Sequence, residues 1–138
     1  MSQTVVLLAE DEATIRMLVT MSLQREHISV LTATDADEAL QVARNQEKID
    51  LLLTDVQMCS GSMNGIELAE SILHDKPGTK VLVMSGYPGS ESLAAEKGLA
   101  FLPKPFTAAS LTDRVREVLS KVPAQSEMKK TKLRRMTG

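Results

Sequence analysis

Apolar runs alternate with amphipathic stretches along most of the chain. Residues 4–9 (TVVLLA) show little polar alternation, the pattern of a strand buried on both faces. Residues 12 to about 25 place Ile15, Leu18, Val19 and Leu23 at helical spacing. A second, less apolar strand falls within residues 27–33. Residues 35–45 read as a helix with Ala36, Ala39, Leu40 and Ala43 on one face and Asp35 or Asp37 as its cap. Residues 50–54 (DLLLT) form a third strand that ends on Asp55. A loop over 58–64 leads to a helix over 65 to about 75, with Ile66, Leu68, Ala69 and Ile72 apolar, which Lys76, Pro77 and Gly78 stop. Residues 80–84 (KVLVM) predict a fourth strand, 88–97 a short weak helix and 98–102 (GLAFL) a fifth strand. Residues 107–122 predict a last helix, with Thr107 as N-cap and Leu111, Val115, Val118 and Leu119 inward. Five strands alternating with five helices predict an α/β, doubly wound fold: a parallel sheet, right-handed crossovers and helices on both faces.

Composition bounds the class. A chain of 138 residues with 43% hydrophobic and 25% charged residues suits one domain, expected over 1–122, and a short tail over 123–138. The tail carries Lys129, Lys130, Lys132, Arg134 and Arg135 against Glu127, hence +4. The total of −2 then leaves −6 for residues 1–122. An acidic domain repels a phosphate backbone, and 2% aromatics offer few stacking platforms, so direct DNA binding by the domain is not expected. The tail lacks apolar periodicity and is expected to be a flexible, solubilising basic segment, the alternatives being contact with anionic lipid, nucleic acid or an acidic partner. Cys59, the single cysteine, cannot form an internal disulfide and has no basic neighbour in sequence to activate it. No apolar run approaches the roughly 20 residues of a membrane span. Strand-like sequence starts too close to Met1 for a signal peptide, so a cytoplasmic location is expected. Met17, Met21, Met58, Met63 and Met84 are expected in core or loop packing.

Chemistry enters at the strand ends. Ligands of open parallel sheets bind beyond the carboxyl ends of the strands, where strand order reverses. Glu10, Asp11 and Glu12 follow the first strand, Asp55 ends the third, Ser85 follows the fourth and Lys104 the fifth. Each has an ordinary explanation alone: Asp11 or Glu12 as a helix cap, Ser85 before Gly86 as turn chemistry, Lys104 as a solvated charge. Those explanations do not account for all of them standing at strand ends. Clustered carboxylates raise one another's pKa unless a cation joins them. A hard divalent ion such as Mg2+ binds a few carboxylates and keeps waters and phosphate oxygens. A metal, an ammonium group and a hydroxyl around one further carboxylate are what phosphoryl transfer to that carboxylate requires.

The set resembles the receiver domains of two-component response regulators. The matching motifs are Glu10-Asp11 after the first strand, Asp55, Ser85 and Lys104-Pro105, over about residues 4–122. The resemblance implies a flavodoxin-like sheet in the order 2-1-3-4-5. It implies that Asp55 accepts a phosphoryl group from a sensor histidine kinase or hybrid kinase. Asp11 directly, Glu10 through water, Asp55 and the backbone carbonyl of Gln57 would hold Mg2+. Lys104 would pair with the phosphoryl group next to a cis bond to Pro105. Ser85 would move toward a phosphoryl oxygen, and Phe101 would be the switch aromatic that changes rotamer with it. Gln57 and Tyr87 would flank the path of attacking water, with Tyr87 shielding the acyl phosphate; more plainly, Tyr87 begins the loop into the fourth helix.

The chain departs from the family pattern between Asp55 and Gly65, where DVQMCSGSMNG is two residues longer than usual and has Cys59 in place of a proline. The implied function is a signalling module, not a turnover enzyme, that switches partner binding or relays phosphate. Its downstream effector or phosphotransfer protein would dock on the fourth helix, fifth strand and fifth helix. No output domain is expected in the tail. The SGY after the fourth strand and the FLPKPF around Lys104 also resemble receivers attached to hybrid kinases. A pseudo-receiver that only binds partners is the alternative. An Asp-nucleophile phosphatase would carry its nucleophile after the first strand with a second aspartate two residues on, and Glu10-Asp11-Glu12 fails that pattern. A nucleotide-binding protein would have a glycine-rich loop there.

Overall fold

The computed structural model of the chain describes residues 3–58 and 63–121. Cys59, much of the lengthened loop and the basic tail over 123–138 lie outside the described residues. The elements run β1 (Val5–Ala9), α1 (Ala13–Gln24), β2 (Ser29–Ala33), α2 (Ala36–Arg44), β3 (Leu51–Asp55), α3 (Gly65–Asp75), β4 (Lys80–Ser85), α4 (Ser90–Glu96), β5 (Ala100–Pro103) and α5 (Ala108–Ser120). All strand pairings are parallel, in the order β2-β1-β3-β4-β5, as the resemblance implies.

The hydrophobic pattern explains which strands lie inside. β1, β3 and β4 carry the unbroken apolar runs and are almost wholly buried, whereas β2, the less apolar one, forms an edge and is mostly half-exposed. Successive side chains point to opposite faces of the sheet. Val6, Leu8, Leu53 and Met84 therefore pack with Val19 and Leu23 of α1 and Leu111 and Val115 of α5. Leu7, Ala9, Leu52 and Val83 pack with Ala39 and Ala43 of α2 and Leu68 and Ile72 of α3 on the other side.

The expected helix starts hold where a side chain caps them. Asp35 accepts from the Glu38 amide, and Asn64 and Thr107 each complete reciprocal capping pairs with Glu67 and Ser110. α4 begins at Ser90, two residues later than expected, because Gly89 stands in the left-handed region at φ 87°.

Only part of the apolar set on α1 faces the core. Val19, Ser22 and Leu23 are buried, but Leu18 is exposed, and so are Met17 and Met21, which were expected in packing. At roughly 3.6 residues per turn, positions two before and two after Val19 fall on the opposite side of the helix. Met84 is fully buried, and Met58 and Met63 pack against the core as expected.

Candidate functional site

β1 and β3 are neighbours although β2 lies between them in the chain, so strand order reverses there. The register aligns the strand ends: Ala9 pairs with Thr54, Asp55 with Met84 and Ser85 with Pro103. The residues that follow each strand therefore gather at one edge.

Asp55 is pinned through its backbone. The Thr54 hydroxyl donates to the Asp55 carbonyl at 2.9 Å, and the Val56 amide donates to the Met84 carbonyl at 3.0 Å. α3 begins against the same carbonyl: a Cβ on Gly65 would stand 1.9 Å from the Asp55 oxygen. Only glycine permits that approach. Asp55 is 7% exposed. Its Oδ1 accepts from the Gln57 amide at 3.3 Å, and Lys104 Nζ stands 3.2 Å from Oδ2.

Lys104 reaches across from β5 and also donates to Glu10 Oε1 at 2.7 Å. Glu10 is fully buried, its other carboxylate oxygen accepts from the Glu12 amide at 3.2 Å, and Arg16 Nη1 donates to its carbonyl at 2.9 Å. Burial raises the Glu10 pKa to about 7, with the charge of Asp55 adding to the rise and the Lys104 hydrogen bond opposing it. Burial alone would lower the Lys104 pKa, but the hydrogen bond with Glu10 and the charges of Asp55 and Glu10 outweigh it and raise it.

Glu10, Asp11 and Asp55 each offer a carboxylate oxygen, and these oxygens lie within 4.8 Å of one another. Three oxygen donors of one sign so close together, one of them raised in pKa, fit a hard divalent cation. Glu12 occupies the N-cap position of α1 without a side-chain capping bond, so capping does not account for its carboxylate. A cleft of about 560 Å³ opens over the group, lined by Asp11, Glu12, Asp55, Gln57, Met58, Gly86, Tyr87 and Lys104. Tyr87 is 64% exposed at its rim.

Three expected site residues do not line the cleft: Glu10, buried beside Asp11 and Asp55, and Ser85 and Phe101. Ser85 is buried and hydrogen-bonded to Ser90. Phe101 is half-buried on β5 against the core, its carbonyl accepting from Arg114 Nε. The Lys104–Pro105 peptide is cis, as expected. Arg16, Thr54, Gly65 and Ser90 were not anticipated at the site. A glycine opening a helix was the signal for Gly65, and a serine at the start of a short helix the signal for Ser90; the sequence carried no comparable signal for Arg16.

Residues 6–116 match the family described as the response regulator receiver domain. Similar relatives include the sensor kinase CckA of Brucella abortus, 33% identical over 84% of this chain and 12% of that kinase. The alkaline phosphatase synthesis transcriptional regulatory protein PhoP of Bacillus subtilis is 32% identical over 90% of this chain and 53% of its own length. Among solved structures, the chemotaxis protein CheY4 of Vibrio cholerae aligns with a TM-score of 0.75 at 27% identity, covering 85% of this chain and 99% of that one. The chain belongs to the response regulator receiver domains, which are phosphorylation-dependent signalling modules of two-component systems. It spans about half or less of the length of these curated relatives. Among the described residues, no helix is long and apolar enough to cross a membrane.

Proposed function

We propose that Asp55 is the phosphoacceptor of this receiver and that Lys104, Ser85 and a Mg2+ ion promote transfer to it. The observation that carries the reading is the convergence of Asp11, Asp55 and Lys104 on the cleft at the strand-order reversal, with the buried Glu10 carboxylate close to Asp11 and Asp55 and paired with Lys104. A carboxylate oxygen of Asp55 attacks the phosphorus of a phosphohistidine, and the imidazole leaves with the electron pair of the broken P–N bond. Lys104, already against Asp55 Oδ2, pairs with charge on the transferring group. Asp11, Asp55, the Gln57 carbonyl and, through water, Glu10 would hold Mg2+, which supplies further positive charge to the phosphoryl oxygens when bound. Pinning of the Asp55 backbone by Thr54 and the close approach of α3 keeps the nucleophile in place before the donor arrives.

The receiver would take its phosphoryl group from a sensor histidine kinase or hybrid kinase in the cytoplasm. It would act by a shift between two conformations rather than by turnover of a separate substrate. Ser85 and Phe101 would change together and present the α4, β5 and α5 face to an effector or phosphotransfer protein. Leu93 on α4 is exposed, and Met17, Leu18 and Met21 form an exposed apolar stripe on α1.

Incubation with acetyl phosphate and Mg2+, read by intact mass, tests the reading. One phosphoryl adduct is expected on the wild type and none on Asp55→Asn. An equal adduct on both proteins overturns it.

A further inference from the structure

Ser85 is 2% exposed and is not among the residues lining the cleft. Its hydroxyl donates to Ser90 Oγ at 2.9 Å and accepts from the Tyr87 amide at 3.0 Å. Both contacts turn the Ser85 hydroxyl toward Ser90 and the lead-in to α4, and neither partner is a cleft carboxylate.

Ser90 is 6% exposed and is the first residue of α4. Serine near a helix start ordinarily serves the helix itself, through a side-chain cap. α4 has no side-chain cap, and Gly89 stands before it. The Ser90 hydroxyl is instead directed at the end of β4.

We propose that Ser90 is a positioning residue for phosphoryl transfer, holding the Ser85 hydroxyl away from Asp55 until a phosphoryl group draws it off. The proposal rests on Asp55 being the phosphoacceptor. For Ser85 to donate to a phosphoryl oxygen, its hydroxyl must leave Ser90. The buried Ser90 oxygen then loses its partner, and the first turn of α4 shifts until another group or water satisfies it. Occupation of the site and movement of α4 thereby become two sides of one exchange of hydrogen bonds. Removing the Ser90 hydroxyl frees Ser85 and favours the phosphorylated state by about fivefold, the equivalent of one neutral hydrogen bond.

The test compares wild type, Ser90→Ala, Ser85→Ala and the double variant with acetyl phosphate and Mg2+. The ratio of phosphorylated to free protein at steady state is read by intact mass, and thermal melts confirm that each protein is folded. The ratio is expected to rise about fivefold in Ser90→Ala. In the Ser85→Ala background the same change is expected to have no effect, because the hydroxyl through which Ser90 acts is gone. An unchanged ratio in Ser90→Ala, or an effect of the same size in both backgrounds, overturns the proposal while leaving the phosphoacceptor reading intact. Absence of any adduct on the wild type overturns that reading and this proposal with it.

Discussion

Glu10 is fully buried and shares the Lys104 ammonium group with Asp55, so its protonation is set by two opposing effects. Its pKa is about 7 in the folded protein against 4.5 ordinarily, and folding therefore takes up a proton between those values. The stability this brings is fully present below the ordinary pKa and is lost as pH rises through about 7. The Lys104 pKa is also raised, so its contribution is lost only in alkali, above the ordinary 10.5, and leaves this window alone. In metal-free buffer the unfolding free energy should fall by roughly 1–3 kcal/mol from about pH 5 to about pH 8. Glu10→Gln should flatten that fall, and urea denaturation at several pH values checks it. Tyr87 makes a kinetic prediction at the same scale. It lines the cleft while largely exposed, as a shield over the acyl phosphate would. Phosphorylated Tyr87→Ala should lose its phosphoryl group faster than wild type, and equal decay rates would refute the shielding role. Glu10, Asp11, Asp55 and Lys104 were legible in sequence because topology dictates where a parallel sheet places its chemistry. The Ser85–Ser90 bond was not, because it depends on how residues 86–89 turn.

Elements read well wherever one physical signal dominated. β1, β3 and β4 announced themselves as unalternating apolar runs, and α3 by the spacing of Ile66, Leu68, Ala69 and Ile72 and its stop at Lys76-Pro77-Gly78. α1 read less well. It offers apolar residues around most of its circumference, so spacing alone did not separate the buried Val19 and Leu23 from the exposed Met17, Leu18 and Met21. The junction of β3 and α3 carries the sharpest packing constraint at the site. Gly65→Ala would place a Cβ 1.9 Å from the Asp55 carbonyl oxygen and 2.8 Å from its carbon, and neither backbone atom can yield cheaply. A loss of more than about 3 kcal/mol is expected, with slower phosphorylation as α3 pulls on Asp55. Gly78→Ala is the control, since nothing lies within 4 Å of its added carbon. Denaturation midpoints and acetyl phosphate rates for the two variants decide the matter.

At the level of the whole molecule, alternation of strands and helices predicted a doubly wound parallel sheet, but not the order of its strands. That order followed from the resemblance carried by the strand-end residues, and the sheet bears it out as β2-β1-β3-β4-β5. Because the ends of β1 and β3 meet only in the folded chain, a cation held by Glu10, Asp11 and Asp55 would bind the native state alone. Mg2+ at a hundredfold excess over its dissociation constant should then stabilise the domain by about 2.7 kcal/mol, a melting shift of several degrees. The shift should be larger above about pH 7, where Glu10 is ionised, and largely absent in Asp11→Asn. Equal shifts in wild type and Asp11→Asn would place the ion elsewhere.

The phosphoryl group is expected on the carboxylate of Asp55. Borohydride reduction of the acetyl phosphate-treated protein converts an acyl phosphate to the alcohol, and tandem mass spectrometry then locates the altered residue. Homoserine at position 55 in the Mg2+-treated wild type, and at no other aspartate, is the predicted result. An unaltered Asp55 in a protein that carries the adduct, or homoserine at Asp11 instead, would contradict it.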